Sequence, residues 1–230
     1  MKKPVLVASA ALLTYAAWRY LQTQRSASDS EASAWDDLGG QVLDSADSIV
    51  TDVAQGAAEV LDSFTGGILQ VSAMSRVPRS VLNDPNVQAF LRVIRAGEGT
   101  ADEGGYRRLF GGGTFSSFAD HPRQLVRKSG YSSTAAGAYQ FLASTWDETA
   151  RIMKLSDFSP ASQDYAAVGR IAARGALADV RAGRFDLAIK KVAREWASMP
   201  GSPYGQPTIT LDRARNIYAT AGGDFGTMQA

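Results

Sequence analysis

The chain has 230 residues, enough for one domain of ordinary size plus accessory segments. It contains no cysteine, which excludes disulfides and thiolate metal sites, and its formal net charge is only +1. Residues 26–75 carry nine acidic side chains and no Lys or Arg, whereas residues 80–230 carry eighteen basic and fourteen acidic ones. The basic residues are scattered and no nucleic-acid recognition motif accompanies them. We therefore expect an anionic polymer other than nucleic acid as the partner.

An apolar run at the amino terminus predicts a transmembrane anchor in residues 1–25. Residues 4–21 follow a positively charged start and approach the ~20 residues that a bilayer-spanning helix needs. The small-residue triplet Ala8–Ala10 comes too early for signal cleavage and Ser26–Ser28 comes late, so an uncleaved anchor is favoured. The run is rich in alanine and weakly hydrophobic. It therefore leaves open an anchor that can slip out of the bilayer, or a segment buried in a protein assembly.

Residues 26–79 form an acidic segment for which two structures are open. Apolar residues recur every eleven positions, as at Leu38 and Ile49, and eleven residues make three helical turns. This spacing predicts an amphipathic helix that pairs with another helix, in a second copy of the chain or in a partner protein. Five glycines and many serines favour a loose tether instead. In both cases we expect a flexible joint at residues 74–79, leading into a domain of residues 80–230.

The clearest helix pattern ends just before one glutamate, Glu98. Within residues 83–97, Asp84 can cap the helix, Pro85 suits its first position and Gly97 supplies a left-handed stop. Four apolar residues share the face that we expect to be buried: Val87, Phe90, Leu91 and Ile94. Glu98 lies beside the negative end of the helix dipole and beside apolar packing, and both raise its pKa. A carboxyl that stays protonated near neutral pH can donate a proton to a glycosidic oxygen, although an ordinary surface role is the alternative.

Two motifs further along the chain contain the residue types that bind sugars. They are Gly137-Ala138-Tyr139-Gln140 and Tyr204-Gly205-Gln206. A tyrosine offers a flat apolar face and a hydroxyl, and a glutamine amide both donates and accepts hydrogen bonds. We therefore predict sugar contacts for Tyr139, Gln140, Tyr204 and Gln206. Gly137 would let the backbone approach a glycan closely or would serve the turn alone, and Tyr139 has a core position as its alternative.

Four other features are predicted to be structural. Three glycines between aromatic residues in Phe110–Phe118 predict a short β-hairpin. Asp120 is expected to accept hydrogen bonds from backbone amides in a turn. His121, the only histidine, has no second histidine or cysteine with which to share a metal. Trp146 and Trp196 lie in helical patterns and are expected in the core.

Six groups of residues match the order and spacing of a known family over roughly residues 84–222. They are Gly97-Glu98-Gly99-Thr100, Asp120-His121-Pro122-Arg123 with Leu125-Val126, Ser133-Thr134-Ala135-Ala136-Gly137-Ala138-Tyr139-Gln140, Asp157-Phe158-Ser159-Pro160 with Ser162-Gln163-Asp164, Arg174-Gly175-Ala176-Leu177, and Trp196-Ala197-Ser198-Met199-Pro200-Gly201 with Tyr204-Gly205-Gln206. The chain thereby resembles the phage lambda endolysin family, lytic transglycosylases with a lysozyme-like fold. It departs from the family in a slightly shorter stretch at 127–132 and in Pro203. By resemblance both lie in the lips of a cleft, where they affect substrate preference.

The resemblance implies an α+β, mainly α, lysozyme-like domain with a small β-sheet that acts on peptidoglycan. It also implies that Glu98 is the single catalytic group and that no cofactor takes part. In that reaction the glutamate protonates the bond between N-acetylmuramic acid and N-acetylglucosamine. It then takes the proton of the muramic acid 6-hydroxyl, which closes a 1,6-anhydro ring without water. Ordinary glycosidases need a second carboxylate, but Asp102 and Glu103 lie in a glycine-flanked loop and are expected to be solvated.

Two other functions stay open at this point. One is a hydrolytic lysozyme on the same fold, and the other is a non-catalytic, wall-binding structural component of a virion. The predicted anchor would hold the catalytic domain on the periplasmic, cell-wall side of the membrane during host lysis. The acidic segment favours assembly with virion proteins, in a particle that penetrates the wall at entry.

Overall fold

The computed structural model describes residues 65–128 and 130–226, and it is mainly helical with one small sheet. The α-helices are α1 (65–75), α2 (Pro85–Gly97), α3 (Ala143–Met153), α4 (Pro160–Ala173), α5 (Leu177–Arg181), α6 (Phe185–Val192) and α7 (Leu211–Thr220). Short 3-10 helices cover Arg79–Asn83, Glu103–Arg107 and Phe110–Gly112. The strands are β1 (Val126–Lys128) and β2 (Tyr131–Ser133).

Helix α2 lies at the centre of the domain and begins as predicted. The side chain of Asp84 accepts a hydrogen bond from the Asn86 amide, and Pro85 occupies the first helical turn. The predicted apolar face is confirmed, because all four of its residues are at most 5% exposed: Val87, Phe90, Leu91 and Ile94. Through this face α2 packs against α4, α5 and α7. The helix that ends at Glu98 is therefore held on several sides.

A cluster of aromatic rings joins α3 to the segment that precedes α4. Trp146 packs edge-on against Phe158 with ring centroids 4.6 Å apart, and His121 meets the same Phe158 ring at 4.9 Å. The predicted core positions of Trp146 and Trp196 are confirmed, with exposed fractions of 2% and 5%. This cluster packs the loop before β1 and the loop before α4 against α3.

The small sheet lies in a different place from the predicted hairpin. Strands β1 and β2 pair antiparallel, with Val126 opposite Ser133. The prediction of a hairpin with the bounds Phe110–Phe118 is wrong, because residues 110–112 form a 3-10 turn. A short antiparallel pairing flanks that turn instead: Arg108 and Thr114 form an isolated bridge, and the Leu109 amide donates to the Gly113 carbonyl oxygen at 2.7 Å. Gly111 and Gly112 both have positive φ angles, which turn the chain tightly at this point.

The predicted flexible joint at residues 74–79 is also wrong. Met74 and Val77 are buried in the core, with 1% and 6% of their surface exposed. The Tyr165 hydroxyl donates to the Val77 carbonyl oxygen, and the Arg79 guanidinium lies 4.6 Å from the centroid of the Tyr165 ring. Two apolar side chains and a cation over an aromatic ring thus fix the entry to the domain.

The predicted anchor of residues 1–25 lies outside the described residues, as does most of the acidic segment. Of that segment, residues 65–75 are helical. In the ranges 65–128 and 130–226, no helix has the length and apolar character that crossing a bilayer requires.

Candidate active site

Glu98 stands at the end of α2, held by a hydrogen bond from a residue far away in the sequence. The side chain is half-buried, and the Ser198 hydroxyl donates to its Oε1 at 2.6 Å. Burial raises the pKa of the Glu98 carboxyl above its ordinary 4.5, and the Ser198 hydrogen bond offsets part of that rise. The raised pKa has the predicted direction. Burial therefore favours the protonated form of the Glu98 carboxyl, while the Ser198 hydroxyl stabilises its ionised form.

The helix end that presents Glu98 is a Schellman motif. The Thr100 amide donates to the Arg95 carbonyl oxygen at 2.8 Å, the Gly99 amide donates to the Ala96 carbonyl oxygen at 3.3 Å, and Gly99 has a φ of +70°. Glu98 is the C-cap residue of this motif. The prediction that Gly97 is the left-handed stop is wrong, because Gly97 is still helical and Gly99 takes that role.

Gly97 serves the site in another way. A Cβ atom at this position would lie 2.2 Å from Met199 Cε and 2.7 Å from Ser198 Oγ. Both distances are far inside van der Waals contact. A side chain at this position would displace the Ser198 hydroxyl and the Met199 side chain, so glycine keeps the Ser198 turn close enough to α2 for the hydroxyl to reach Glu98.

The structure brings three of the six family-like segments together around the glutamate: 97–100, 133–140 and 196–201. The Thr100 hydroxyl donates to the Ala138 carbonyl oxygen at 2.5 Å, and the Trp196 indole N–H donates to the Tyr139 carbonyl oxygen at 3.2 Å. The first bond ties the turn after Glu98 to the Gly137–Gln140 turn. The second ties that turn to the segment that carries Ser198.

Two of the predicted sugar-binding residues lie in the interior. The side chain of Tyr139 is 1% exposed and its hydroxyl donates to Asp164 Oδ1 at 2.7 Å, which is the core position that the sequence left open. Gly137 is buried with a φ of +79°, and a Cβ there would lie 2.3 Å from Gln163 Oε1. The turn and the packing of Gln163 thus account for this glycine.

The other three predicted contacts keep surface exposure. Gln140 is half-buried in a left-handed conformation with φ 48°, and its amide donates to the Gly137 carbonyl oxygen at 2.9 Å. Tyr204 is 56% exposed and its hydroxyl donates to the Arg194 carbonyl oxygen at 2.9 Å, which leaves the ring available for stacking. Gln206 is exposed. These three side chains can contact a polysaccharide.

The remaining acidic residues near Glu98 in sequence are occupied or exposed. Asp102 Oδ2 pairs with the Arg108 guanidinium at 2.7 Å and its side chain is 59% exposed. Asp120 accepts a hydrogen bond from the His121 amide, as predicted, and also from the Trp146 indole. In the described part of the chain, no cluster of three His, Cys, Asp or Glu side chains could hold a metal ion. Among the acidic residues of this stretch of sequence, Glu98 is thus the carboxyl whose setting is suited to proton transfer.

Sequence reasoning missed two residues of this region, Ser198 and Asp164. Both stand in the family-like strings, but no local pattern marks either one. Ser198 reaches a partner 100 positions earlier, and Asp164 binds the hydroxyls of Tyr106 and Tyr139, 58 and 25 positions earlier. Contacts over such separations follow from the fold, which a pattern of neighbouring residues does not encode.

Comparison with known proteins decides the family. The model of the Endolysin family matches residues 88–225, more than half of the chain. The chain belongs to the endolysin family. The endolysin of Escherichia phage P2 is 38% identical over 154 residues, covering 60% of this chain and 93% of that one. The endolysin of Escherichia phage lambda is 40% identical over 144 residues, covering 59% and 90%.

Solved structures of the family show the same fold. The lysozyme of bacteriophage lambda in complex with a chitohexasaccharide matches with a TM-score of 0.58 and 38% identity, over 60% of this chain and 95% of that one. A second structure of lambda lysozyme matches with a TM-score of 0.54 and 36% identity over the same shares. The protein is accordingly a lysozyme-like endolysin, of the class of enzymes that degrade peptidoglycan.

Proposed function

We propose that the protein is a lytic transglycosylase that cuts the β-1,4 bond between N-acetylmuramic acid and N-acetylglucosamine, with Glu98 as its one catalytic residue. The observation that carries the proposal is the setting of Glu98, half-buried, with a raised pKa and a 2.6 Å hydrogen bond from Ser198. A single carboxyl of this kind can act first as acid and then as base.

The proposed reaction has two proton transfers and consumes no water. Protonated Glu98 gives its proton to the glycosidic oxygen while the bond from that oxygen to muramic acid C1 breaks. The Glu98 carboxylate then takes the proton of the muramic acid 6-hydroxyl as the O6–C1 bond forms. The products are a free N-acetylglucosamine 4-hydroxyl and a 1,6-anhydro end, and Glu98 is protonated again for the next cycle.

Ser198 supports the second half of this cycle. Its hydroxyl donates to Glu98 Oε1, so the bond is strongest when Glu98 is ionised after the first proton transfer. Burial favours the acid form and the hydroxyl favours the base form, which keeps the two forms closer in free energy than either influence alone would. A group that must act as both acid and base benefits from that balance.

We also propose that Gln140, Tyr204 and Gln206 contact the glycan at the surface of the site. Their exposure and residue types support this, because an aromatic face stacks on a sugar ring and an amide binds its hydroxyls. The binding of a chitohexasaccharide by lambda lysozyme supports a glycan strand as the ligand of this fold.

The experiment that tests the function is digestion of purified sacculi, followed by mass spectrometry of the muropeptides. Transglycosylation gives 1,6-anhydro ends, whereas hydrolysis gives reducing muramic acid with the added mass of water. Reducing ends as the main product would show a muramidase. The variant Glu98→Gln should release no muropeptides, and undiminished lysis of purified walls by it would remove Glu98 from the mechanism. A wild-type chain that binds walls but releases no muropeptides would favour the wall-binding, non-catalytic alternative.

For the cellular setting we propose a membrane anchor in residues 1–25 that holds the enzyme on the wall side of the membrane. The support is the apolar run of the sequence and its positively charged start. Extraction of infected-cell membranes with alkaline carbonate tests the anchor, since an anchored chain stays in the pellet. Detection of the chain in purified particles would instead show a virion component that acts at entry.

A further inference from the structure

Asp164 stands where two chains of hydrogen bonds meet. Its Oδ1 accepts from the hydroxyls of Tyr106 at 2.8 Å and Tyr139 at 2.7 Å. Burial raises the pKa of Tyr106 to about 12 and that of Tyr139 well above 10, so both remain hydroxyl donors at any working pH. Because Asp164 binds both hydroxyls, it holds the segments that carry Tyr106 and Tyr139 in place relative to each other.

The first chain runs from Asp164 to the turn that follows Glu98. Nη1 of Arg95 donates to the Tyr106 hydroxyl at 3.3 Å, and its guanidinium lies 4.4 Å from the centroid of the Tyr106 ring. Nη2 of the same guanidinium donates to the carbonyl oxygens of Thr100 at 3.1 Å and Asp102 at 2.8 Å. The buried Arg95 therefore clamps the backbone of the turn in which Glu98 stands.

The second chain runs from Asp164 to the segment that carries Ser198. Tyr139, whose hydroxyl binds Asp164, accepts the Trp196 indole N–H at its backbone carbonyl oxygen. The Met199 amide in turn donates to the Trp196 carbonyl oxygen at 3.1 Å, which closes the turn around Ser198. Both partners of the Glu98–Ser198 hydrogen bond are thus tied to one carboxyl.

We propose that Asp164 is a positioning residue that sets the geometry between Glu98 and Ser198 through Tyr106, Arg95 and Tyr139. The inference rests on the function proposed for Glu98. Asp164 does not take part in the proton transfers itself, because its Oδ1 is bound by the hydroxyls of Tyr106 and Tyr139. Its negative charge faces the buried Arg95 cation across Tyr106, so neutralising it weakens the hold on the turn.

The test is Asp164→Asn in the full-length chain. Asparagine keeps the shape and one accepting oxygen but loses the charge. We expect kcat to fall by at least about tenfold with KM changed by less than about twofold, since misplacing a catalytic group by a fraction of an ångström slows the reaction without weakening binding. The matched control is Asp186→Asn, which removes an aspartate paired with Arg215 on the surface and should leave both constants unchanged.

A second readout follows the Glu98 carboxyl directly by NMR titration of a chain labelled with carbon-13 glutamate, with Glu98→Gln to identify the signal. We expect the pKa of Glu98 to fall in Asp164→Asn, because burial is the larger influence on it and a loosened turn exposes it to water. Tyr106→Phe keeps the ring under Arg95 but removes the linking hydroxyl. It should shift kcat and the Glu98 titration in the same direction, less strongly.

Unchanged kcat and an unchanged Glu98 titration in both Asp164→Asn and Tyr106→Phe would overturn the proposal. If Asp164→Asn fails to fold, Tyr106→Phe alone decides it. The titration also separates this inference from the proposed function: activity in Glu98→Gln would remove Glu98 from the reaction. A Glu98 pKa that still responds to Asp164 would show that the structural coupling holds all the same.

Discussion

Removing the Ser198 hydroxyl tests the proposed proton donor most sharply. In Ser198→Ala the Glu98 carboxylate loses its 2.6 Å hydrogen bond, while the half-burial that raises its pKa remains. Because the hydroxyl is the influence that lowers this pKa, its loss raises the pKa further. The acid form of Glu98 then persists to higher pH.

The expected change in the protonation equilibrium of Glu98 follows from the free energy of its hydrogen bond with Ser198. A hydrogen bond to a charged group contributes about 1.5 to 3 kcal/mol, and we take the lower end because Glu98 keeps some contact with water. About 1.4 kcal/mol corresponds to a tenfold change in the protonation equilibrium. We therefore expect the ratio of ionised to protonated Glu98 to be about ten times lower in the variant at a given pH.

The assay is the pH dependence of kcat/KM for the clearing of purified sacculi. Activity is lost as the pH rises through the pKa of the general acid in the free enzyme, so the basic limb of the profile should move to higher pH in Ser198→Ala. The matched control is Ser75→Ala, which removes an exposed hydroxyl that donates to the Ser72 carbonyl oxygen in α1. A basic limb that stays in place in Ser198→Ala, or moves to lower pH, would refute the reasoning.

Three other variants probe the same site. At pH values above the pKa of Glu98, Glu98→Gln should have a Tm about 2 to 4 °C higher than the wild type. Burial raises the pKa of Glu98 in the folded state, so the ionisation of Glu98 lowers the stability of the wild type as the pH rises. By calorimetry, the difference should vanish below about pH 4, where Glu98 is protonated in both states; a difference independent of pH would contradict this. Gly97→Ala should lose about 1 to 3 kcal/mol of stability in urea titrations together with most activity, whereas Gly66→Ala, with open space around it, should lose neither. Tyr204→Ala should raise KM severalfold with kcat and Tm unchanged, and an unchanged KM would exclude its exposed ring from glycan binding.

The parts of the fold that were predictable are those set by neighbouring residues. The cap of Asp84, the apolar face of α2 and the core positions of two tryptophans all follow from short-range spacing. The raised pKa of Glu98 followed from its place at the end of an apolar helix, although the structure assigns it first to burial. The local sequence pattern thus predicted that Glu98 lies at a helix end and that its surroundings are apolar.

The predictions that were wrong and the residues that were missed depend on a choice between nearby glycines or on contacts between residues far apart in the sequence. Gly97 and Gly99 could both adopt the left-handed conformation that ends a helix. In the structure Gly99 adopts it, and Gly97 lies where Ser198 approaches α2 closely. In the stretch 110–118 two glycines lie in a 3-10 turn, and the two strands form farther along the chain. The segment 74–79 was predicted to be a flexible joint, yet Met74 packs into the core. Ser198 and Asp164 act over tens of positions, which sequence spacing does not reveal.

The central claim is that one carboxyl, Glu98, cuts the glycan without water. Digestion of sacculi in water enriched in oxygen-18 tests it directly by mass spectrometry. We expect 1,6-anhydro muropeptides that carry no heavy oxygen at the new end, and no product with Glu98→Gln. Reducing muramic acid ends labelled with oxygen-18 would contradict it.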